Sequence, residues 1–272
     1  MMVAVGRGLH RLQDAPPWVL DDTFALILIG PEWQDLAGSV TLTYPNPVLR
    51  QVIAELVVRS RYAEDRLTPG TFTQYVILGA GLDSFAWRRP DLLRSLRVFE
   101  VDHPASQEWK RQRIEELALP TSDQLVFAPI DFEVQSLPDG LDAAGFDWTQ
   151  PSVFSSLGLT MYLTIDAIEA TLRTVADCPS GSAVVFDYFP TDPYLDDLGR
   201  EHLAILLPIA ARLGEPVQTR WSPTEVEQVV VRCGLQVADH PSRDELISRY
   251  FADRTDGLHP VSSMRLVAAS VP

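Results

Sequence analysis

Apolar positions along this chain follow two rhythms. From Gln74 onward, short apolar runs alternate with longer stretches in helical spacing. The runs are Tyr75–Leu78, Arg97–Val101, Leu125–Ile130, Ser152–Ser156, Ala183–Asp187, Gln236–Asp239 and Arg265–Ala269. Near-continuous apolar runs are what strands covered on both faces look like. Their alternation with helical stretches predicts an α/β fold with a doubly wound, mostly parallel, seven-stranded sheet. Helix starts are marked locally. Ser222-Pro223-Thr224-Glu225 and Ser242-Arg243-Asp244-Glu245 read as capping boxes. Thr164 opens a helix whose apolar positions are Ile165, Ile168, Leu172 and Val175, and Gly234 stands where a helix C-cap belongs.

Residues 1–70 lack strand signals. Within them Asn46 to Leu67 carries Val48, Val52 and Leu56 at helical spacing, which predicts a helical cap over the sheet. The stretch at about 189–220 opens with proline and aspartate (Pro190 to Asp197) and continues as a helix from Leu198 to Leu213. It reads as a lid-like insertion. The expected organisation is one domain over residues 1–272, with a cap at 1–70 and a cofactor-binding core at 71–272.

Composition narrows the function. At 272 residues the chain can bury a full core. Its net charge of −15 argues against binding nucleic acid or an anionic membrane. Two cysteines, Cys178 and Cys233, are too few for a disulfide framework or a zinc site, so no metal is expected and a cytoplasmic setting fits. The apolar run Phe24–Ile29 is too short to span a bilayer and follows acidic residues rather than a basic flank.

The chemistry concentrates between Gln74 and Arg88, QYVILGAGLDSFAWR, and at Val98 to Pro104, VFEVDHP. A buried strand runs into Gly79-Ala80-Gly81. About twenty residues later a second strand ends in Glu100 and Asp102. Such a turn lets backbone approach a nucleoside cofactor, while an acidic tip accepts hydrogen bonds from ribose hydroxyls. Ser84 stands where a dinucleotide fingerprint has its third glycine or alanine. That residue matters for packing around a pyrophosphate, so its loss favours S-adenosylmethionine, which has no phosphate, over a nicotinamide cofactor. The third strand ends in Ile130-Asp131-Phe132. Asp131 and Phe132 suit an adenine, and equally a helix cap beside a core residue.

Taken together, these motifs resemble the leucine carboxyl methyltransferase family of S-adenosylmethionine-dependent enzymes, in its actinobacterial-type branch. The resemblance rests on Arg59-Ser60-Arg61-Tyr62, VILGAGLDSFAWR, VFEVDHPASQEWK, Ile130-Asp131-Phe132, FDWTQPSVFSSLGLTMYLT from Phe146 to Thr164, and SRYFADRTDGL near the C-terminus. It implies that Gly79, Ala80 and Gly81 pass beneath the cofactor's methionine part and that Asp102 holds the ribose. It further implies that Asp131 and Phe132 frame the adenine, and that Arg59 or Arg61 pairs with the cofactor's carboxylate. There is one departure. Many members carry a glutamate at the end of the fourth strand, where this chain has Leu157 in Ser156-Leu157-Gly158.

The resemblance points to O-methylation of a carboxylate or hydroxyl on a small metabolite or polyketide-type acceptor. A carboxylate needs no general base, whereas a hydroxyl does. Tyr162 is a candidate for that role, with a packing tyrosine as the alternative. No single base stands out, and His202, His240 and His259 fall in segments the pattern does not place. Trp33, Tyr44, Trp148, Phe189 and Tyr194 fall where they would cover a crevice or simply pack. Two other readings remain: a nicotinamide-dependent oxidoreductase, and a non-catalytic S-adenosylmethionine-binding protein.

Overall fold

The computed structural model describes residues 1–132 and 134–272. Four helices come first: α1 (Met2–Gln13), α2 (Ala25–Ile29), α3 (Trp33–Thr43) and α4 (Asn46–Glu64). The alternating part follows as β1 (Gln74–Leu78), α5 (Phe85–Arg88), β2 (Arg97–Asp102), α6 (Pro104–Glu116), β3 (Leu125–Pro129), α7 (Leu137–Ala143), β4 (Ser152–Ser156), α8 (Ile165–Ala176) and β5 (Ala183–Tyr188). The chain ends with α9 (Asp197–Arg212), α10 (Pro223–Arg232), β6 (Gln236–Asp239), α11 (Arg243–Tyr250) and β7 (Arg265–Ser270).

The strands form one sheet in the order β3-β2-β1-β4-β5-β7-β6. β1 to β5 pair in parallel, and β7 runs antiparallel to both β5 and β6. Every residue of β1 and β4 is buried, as the apolar runs require when helices cover both faces. Pleating divides the side chains between those faces. Val76, Leu78, Phe99, Phe154 and Phe186 pack with Leu141, Ile168 and Val226 from α7, α8 and α10. On the other face Tyr75, Ile77 and Val98 meet Phe85 and Ile114, while Val185 and Leu266 meet Val57, Val58 and Tyr62 of α4.

Local signals account for the helix starts. Thr164 accepts from the Ala167 N–H at 3.2 Å, and both serine capping boxes close. Gly234 takes φ +89° after α10. Sheet order reverses between β1 and β4, and in doubly wound folds ligands sit outside the carboxyl ends of the strands at that point. No helix among the described residues is long and apolar enough to cross a membrane.

Candidate active site

The turn after β1 is built by backbone conformations that glycine alone adopts without steric cost: φ +67° at Gly79 and +47° at Gly81. The Gly79 and Ala80 N–H groups donate to the Val101 carbonyl at 2.9 and 3.1 Å. Gly81 N–H donates to Asp102 Oδ2 at 2.6 Å, and His103 N–H donates to Asp102 Oδ1 at 2.7 Å. Asp102 is thus fixed at the tip of β2 against the turn. Each of its oxygens keeps a lone pair for a further donor.

Glu100 lies on the same face, two residues deeper. It is fully buried, and its Oε2 accepts from Lys110 Nζ at 2.5 Å. Lys110 also donates to the Asp83 carbonyl at 2.8 Å. Burial pushes the Glu100 carboxyl up to about 7, against the pull of Lys110. Glu100 therefore braces the turn from below, and Asp102 is the carboxylate of the two that reaches the strand tip.

Ser84 explains the missing third glycine. Its buried Oγ donates to Asp22 Oδ2 at 2.7 Å and accepts from Arg88 Nε at 2.9 Å. Arg7 binds the same Asp22 oxygen at 2.8 Å, and Arg88 grips Glu64 through both terminal nitrogens. The place a pyrophosphate fingerprint keeps empty is filled here by a side chain that ties the N-terminal helices to the turn. These residues fit a cofactor without phosphate.

The two arginines separate. Arg61 is about half exposed and pairs with Asp65 at 2.7 Å, so the structure does not bring it to this edge. Arg59 is 7% exposed and binds Asp187 Oδ2 at 3.0 Å. Asp187 Oδ1 accepts from the Gly158 N–H at 2.7 Å. A Cβ at Gly158, where φ is +73°, would come within 2.9 Å of the Arg59 guanidinium. A Cβ at Gly79 would meet the Leu159 side chain at 3.4 Å. The loop after β4 therefore touches Arg59 on one side and the glycine turn on the other.

Leu157 packs among apolar residues that include Val57 and Val58 of α4. The β4–β5 register pairs Ser156 with Phe186, so continued by one residue it sets Leu157 beside Asp187 on one face. The buried carboxylate in this neighbourhood comes from β5. Burial pushes Asp187 upward, against Arg59 and the Gly158 N–H.

Asp131 and Phe132 follow β3, which ends one residue short of the expected Ile130. Phe132 lines a cavity of about 460 Å³ with Leu78, Ser156, Leu159 and Phe186, and among the described residues none that lines it is charged. Tyr162 is half-buried in the turn after β4; burial raises its hydroxyl, and Glu215 and Asp187 raise it further against Arg59. Tyr188 points to the opposite face from Asp187 and meets His240 Nε2 at 2.9 Å. Trp148 does not reach the crevice. It lies before β4, near the start of β1, with its indole bonded to Asp142. His202 belongs to a buried cluster that local patterning did not reveal. The signal lay on α4, where Glu55 and Arg59 interrupt the stripe Val48, Val52, Tyr62.

Residues 1–176 match the leucine carboxyl methyltransferase family. A Bacillus subtilis protein, YktD, named for an inferred S-adenosyl-L-methionine-dependent methyltransferase activity, is 33% identical over 226 residues, 83% of this chain and 72% of that one. A Frankia alni protein of the same description is 30% identical over 275 residues, 98% of this chain and 84% of its own. Among solved structures, a Thermobifida fusca protein described as an inferred methyltransferase superposes with TM-score 0.62 at 16% identity, over 90% of this chain and 91% of that one. A DUF574-family protein from Streptomyces avermitilis gives 0.60 at 14% identity, over 100% and 97%. Glycine turn, acidic strand tip and extent of similarity agree: the chain belongs to the leucine carboxyl methyltransferase family and is an S-adenosylmethionine-dependent methyltransferase.

Proposed function

We propose that this enzyme methylates oxygen, on a carboxylate or hydroxyl of a small metabolite or polyketide-type acceptor. The observation that carries the reading is the meeting of the Gly79 turn, Asp102 and the buried Arg59–Asp187 pair at one edge of the sheet. Asp102 would hold the ribose, and Arg59 the methionine carboxylate, a task suited to a permanently charged planar donor. The backbone of Gly79, Ala80 and Gly81 would pass beneath the methionine part. Asp131 and Phe132 would frame the adenine at the mouth of the cavity that Phe132 lines. When bound, S-adenosylmethionine supplies an electrophilic methyl group on a sulfonium. The protein's share is alignment and exclusion of water. Residues 1–70 would act as the cap of a single domain and 189–220 as its lid.

Calorimetric titration with S-adenosylmethionine, S-adenosylhomocysteine and NAD tests the cofactor edge. Micromolar binding of both sulfur nucleosides is expected, with no heat from NAD. Asp102→Ala should weaken that binding by about 100-fold or more, the worth of two charge-assisted hydrogen bonds. Wild-type affinity in Asp102→Ala would sink the ribose assignment. Transfer of labelled methyl to benzoate or to phenol, rather than to aniline, would support oxygen as the acceptor atom.

A further inference from the structure

Beneath α9 lies a cluster of titratable side chains that the cofactor edge does not use. Glu55 on α4 and His202 on α9 are joined through Ser263, in the segment leading into β7. Ser263 Oγ is 2.6 Å from Glu55 Oε2 and 2.7 Å from His202 Nδ1. The Met264 N–H donates to Glu55 Oε1 at 3.1 Å. All three side chains are buried: Glu55 is 3% exposed, Ser263 0% and His202 5%. Nδ1 is committed to this chain of hydrogen bonds, and among the described residues Nε2 makes none.

The cluster adjoins the cofactor edge. Glu55 is one helical turn from Arg59 on α4, and Arg59 Nη1 lies 3.9 Å from Met264 Sδ. The His202 ring packs 5.6 Å from the Tyr44 ring. The Tyr44 hydroxyl lies in the field of Tyr162, which in turn feels Glu215 first and then Arg59 and Asp187. A buried carboxyl and imidazole are expensive to keep in a core, where well-packed apolar side chains are often as stable or more so. Perturbed titratable groups of this kind concentrate at functional sites.

We propose that His202 Nε2 is the proton acceptor for a phenol-type hydroxyl acceptor, with Ser263 and Glu55 carrying the proton away from Nδ1. This rests on the methyltransferase reading above and chooses hydroxyl over carboxylate, since only a hydroxyl needs a base. The acceptor oxygen bonds to the methyl carbon as the carbon–sulfur bond breaks, and that bond's electron pair stays on sulfur. The hydroxyl proton passes to His202 Nε2, the Nδ1 proton to Ser263 Oγ, and the Ser263 proton to the Glu55 carboxylate. Burial pushes His202 down to about 4, so the imidazole starts unprotonated. Burial pushes Glu55 up to about 8, against Ser263 and the Met264 N–H, which gives it the proton affinity of a terminal store. The charged and titratable groups facing Glu55 are His202 from α9, Asp196 at the cap of α9, and Arg59 from α4. The relay runs only when Glu55 is ionised, so the rate rises as pH climbs through that ionisation. His202 comes from the expected lid, so the relay is complete only with α9 docked.

The test compares phenol with p-nitrophenol, which is already largely ionised at mildly alkaline pH. In His202→Gln, calorimetry should show unchanged S-adenosylmethionine affinity. Methyl transfer to phenol should fall by about 100-fold or more, and transfer to p-nitrophenol should change little. In Glu55→Gln the rise of the phenol rate with pH should disappear. In the cofactor-free protein, the ¹⁵N signal of His202 Nδ1 should shift in Ser263→Ala. Equal losses with both phenols would mean a packing role and would overturn the proposal. So would an undiminished phenol rate in His202→Gln, or transfer to benzoate but to neither phenol by cofactor-bound protein. Absence of cofactor binding in the wild type would instead strike the methyltransferase reading.

Discussion

Two buried polar networks tie the N-terminal helices to the sheet, and they are built on opposite principles. Beside the glycine turn, Asp22 and Glu64 are clamped by Arg7 and Arg88 with Ser84 between them. Under α9, Glu55 and His202 meet through Ser263, with no arginine directly on either. Burial alone would raise Asp22, but Arg7 and Arg88, with the Ser84 hydrogen bond, outweigh it and hold the carboxyl below its usual range. In the second network nothing outweighs burial, and Glu55 rises while His202 falls. Guanidinium groups do not titrate in a protein, so the cations of the first network stay charged and serve as a clamp that holds Asp22 down, although burial still raises Glu64 against Arg88. The second has Glu55, whose proton moves within the working pH range, beside an imidazole that starts unprotonated there, which is what proton transfer needs.

The sharpest way to break this comparison is to remove one member from each network. Arg88→Ala leaves Glu64 and Asp22 buried with too little positive charge. It should cost about 3–5 kcal/mol of stability, read by denaturant unfolding. Glu55→Gln keeps the shape of its side chain and replaces a carboxyl that is mostly neutral at pH 7, so it should cost about 1 kcal/mol or less. Similar costs for the two would mean that Glu55 is as firmly charged as the clamp.

A smaller effect is carried by pH. Glu55 in the folded protein holds its proton up to about 8, against an ordinary 4.5. Between those values the folded state binds more protons than the unfolded chain, so stability falls as pH rises across that window. His202 has the opposite sign. Its folded value of about 4 lies below the ordinary 6.5, so between them the unfolded chain binds more protons and stability falls as pH drops. Melting temperatures of wild type, Glu55→Gln and His202→Gln from pH 4 to 9 should separate these slopes. The first variant flattens the alkaline limb and the second the acidic limb. Parallel curves for all three would show that neither group carries its shifted proton affinity.

The difference between the networks also explains what the amino-acid pattern disclosed. The strands, the glycine turn and both capping boxes were legible because their causes are local: apolar runs, φ-permissive glycines, and a serine three residues before a glutamate. Ser84 was legible only as an absent glycine, because its partner Asp22 lies 62 residues away. Glu55 shows only as a break in the α4 stripe, and its partners Ser263 and His202, which lie 208 residues from Glu55 and 61 from Ser263 respectively, leave no spacing to read. Trp148 looked available to the crevice because a one-dimensional pattern does not say which edge of the sheet a loop occupies. Extending the β4–β5 pairing toward Leu157 and Asp187 needed the strand register, which no run of residues encodes.

The smallest expected effect concerns the two arginines that the motif could not tell apart. Arg61 sits on the exposed side of α4 with its Asp65 partner one turn on, and such pairs are worth about 0.3–0.5 kcal/mol. Arg61→Ala should therefore shift stability by no more than that and leave S-adenosylmethionine affinity unchanged. Arg59 meets Asp187 in the buried neighbourhood of Gly158, where removal leaves a carboxylate without its cation. Arg59→Lys keeps the charge but loses the planar fork, so it should hold the fold better than Arg59→Ala while still weakening cofactor affinity by about 10-fold or more. Calorimetry on Arg61→Ala and Arg59→Lys, side by side, decides which arginine serves the cofactor. A loss of affinity in Arg61→Ala alone would move the carboxylate contact to the other side of the helix and require α4 to rotate on binding.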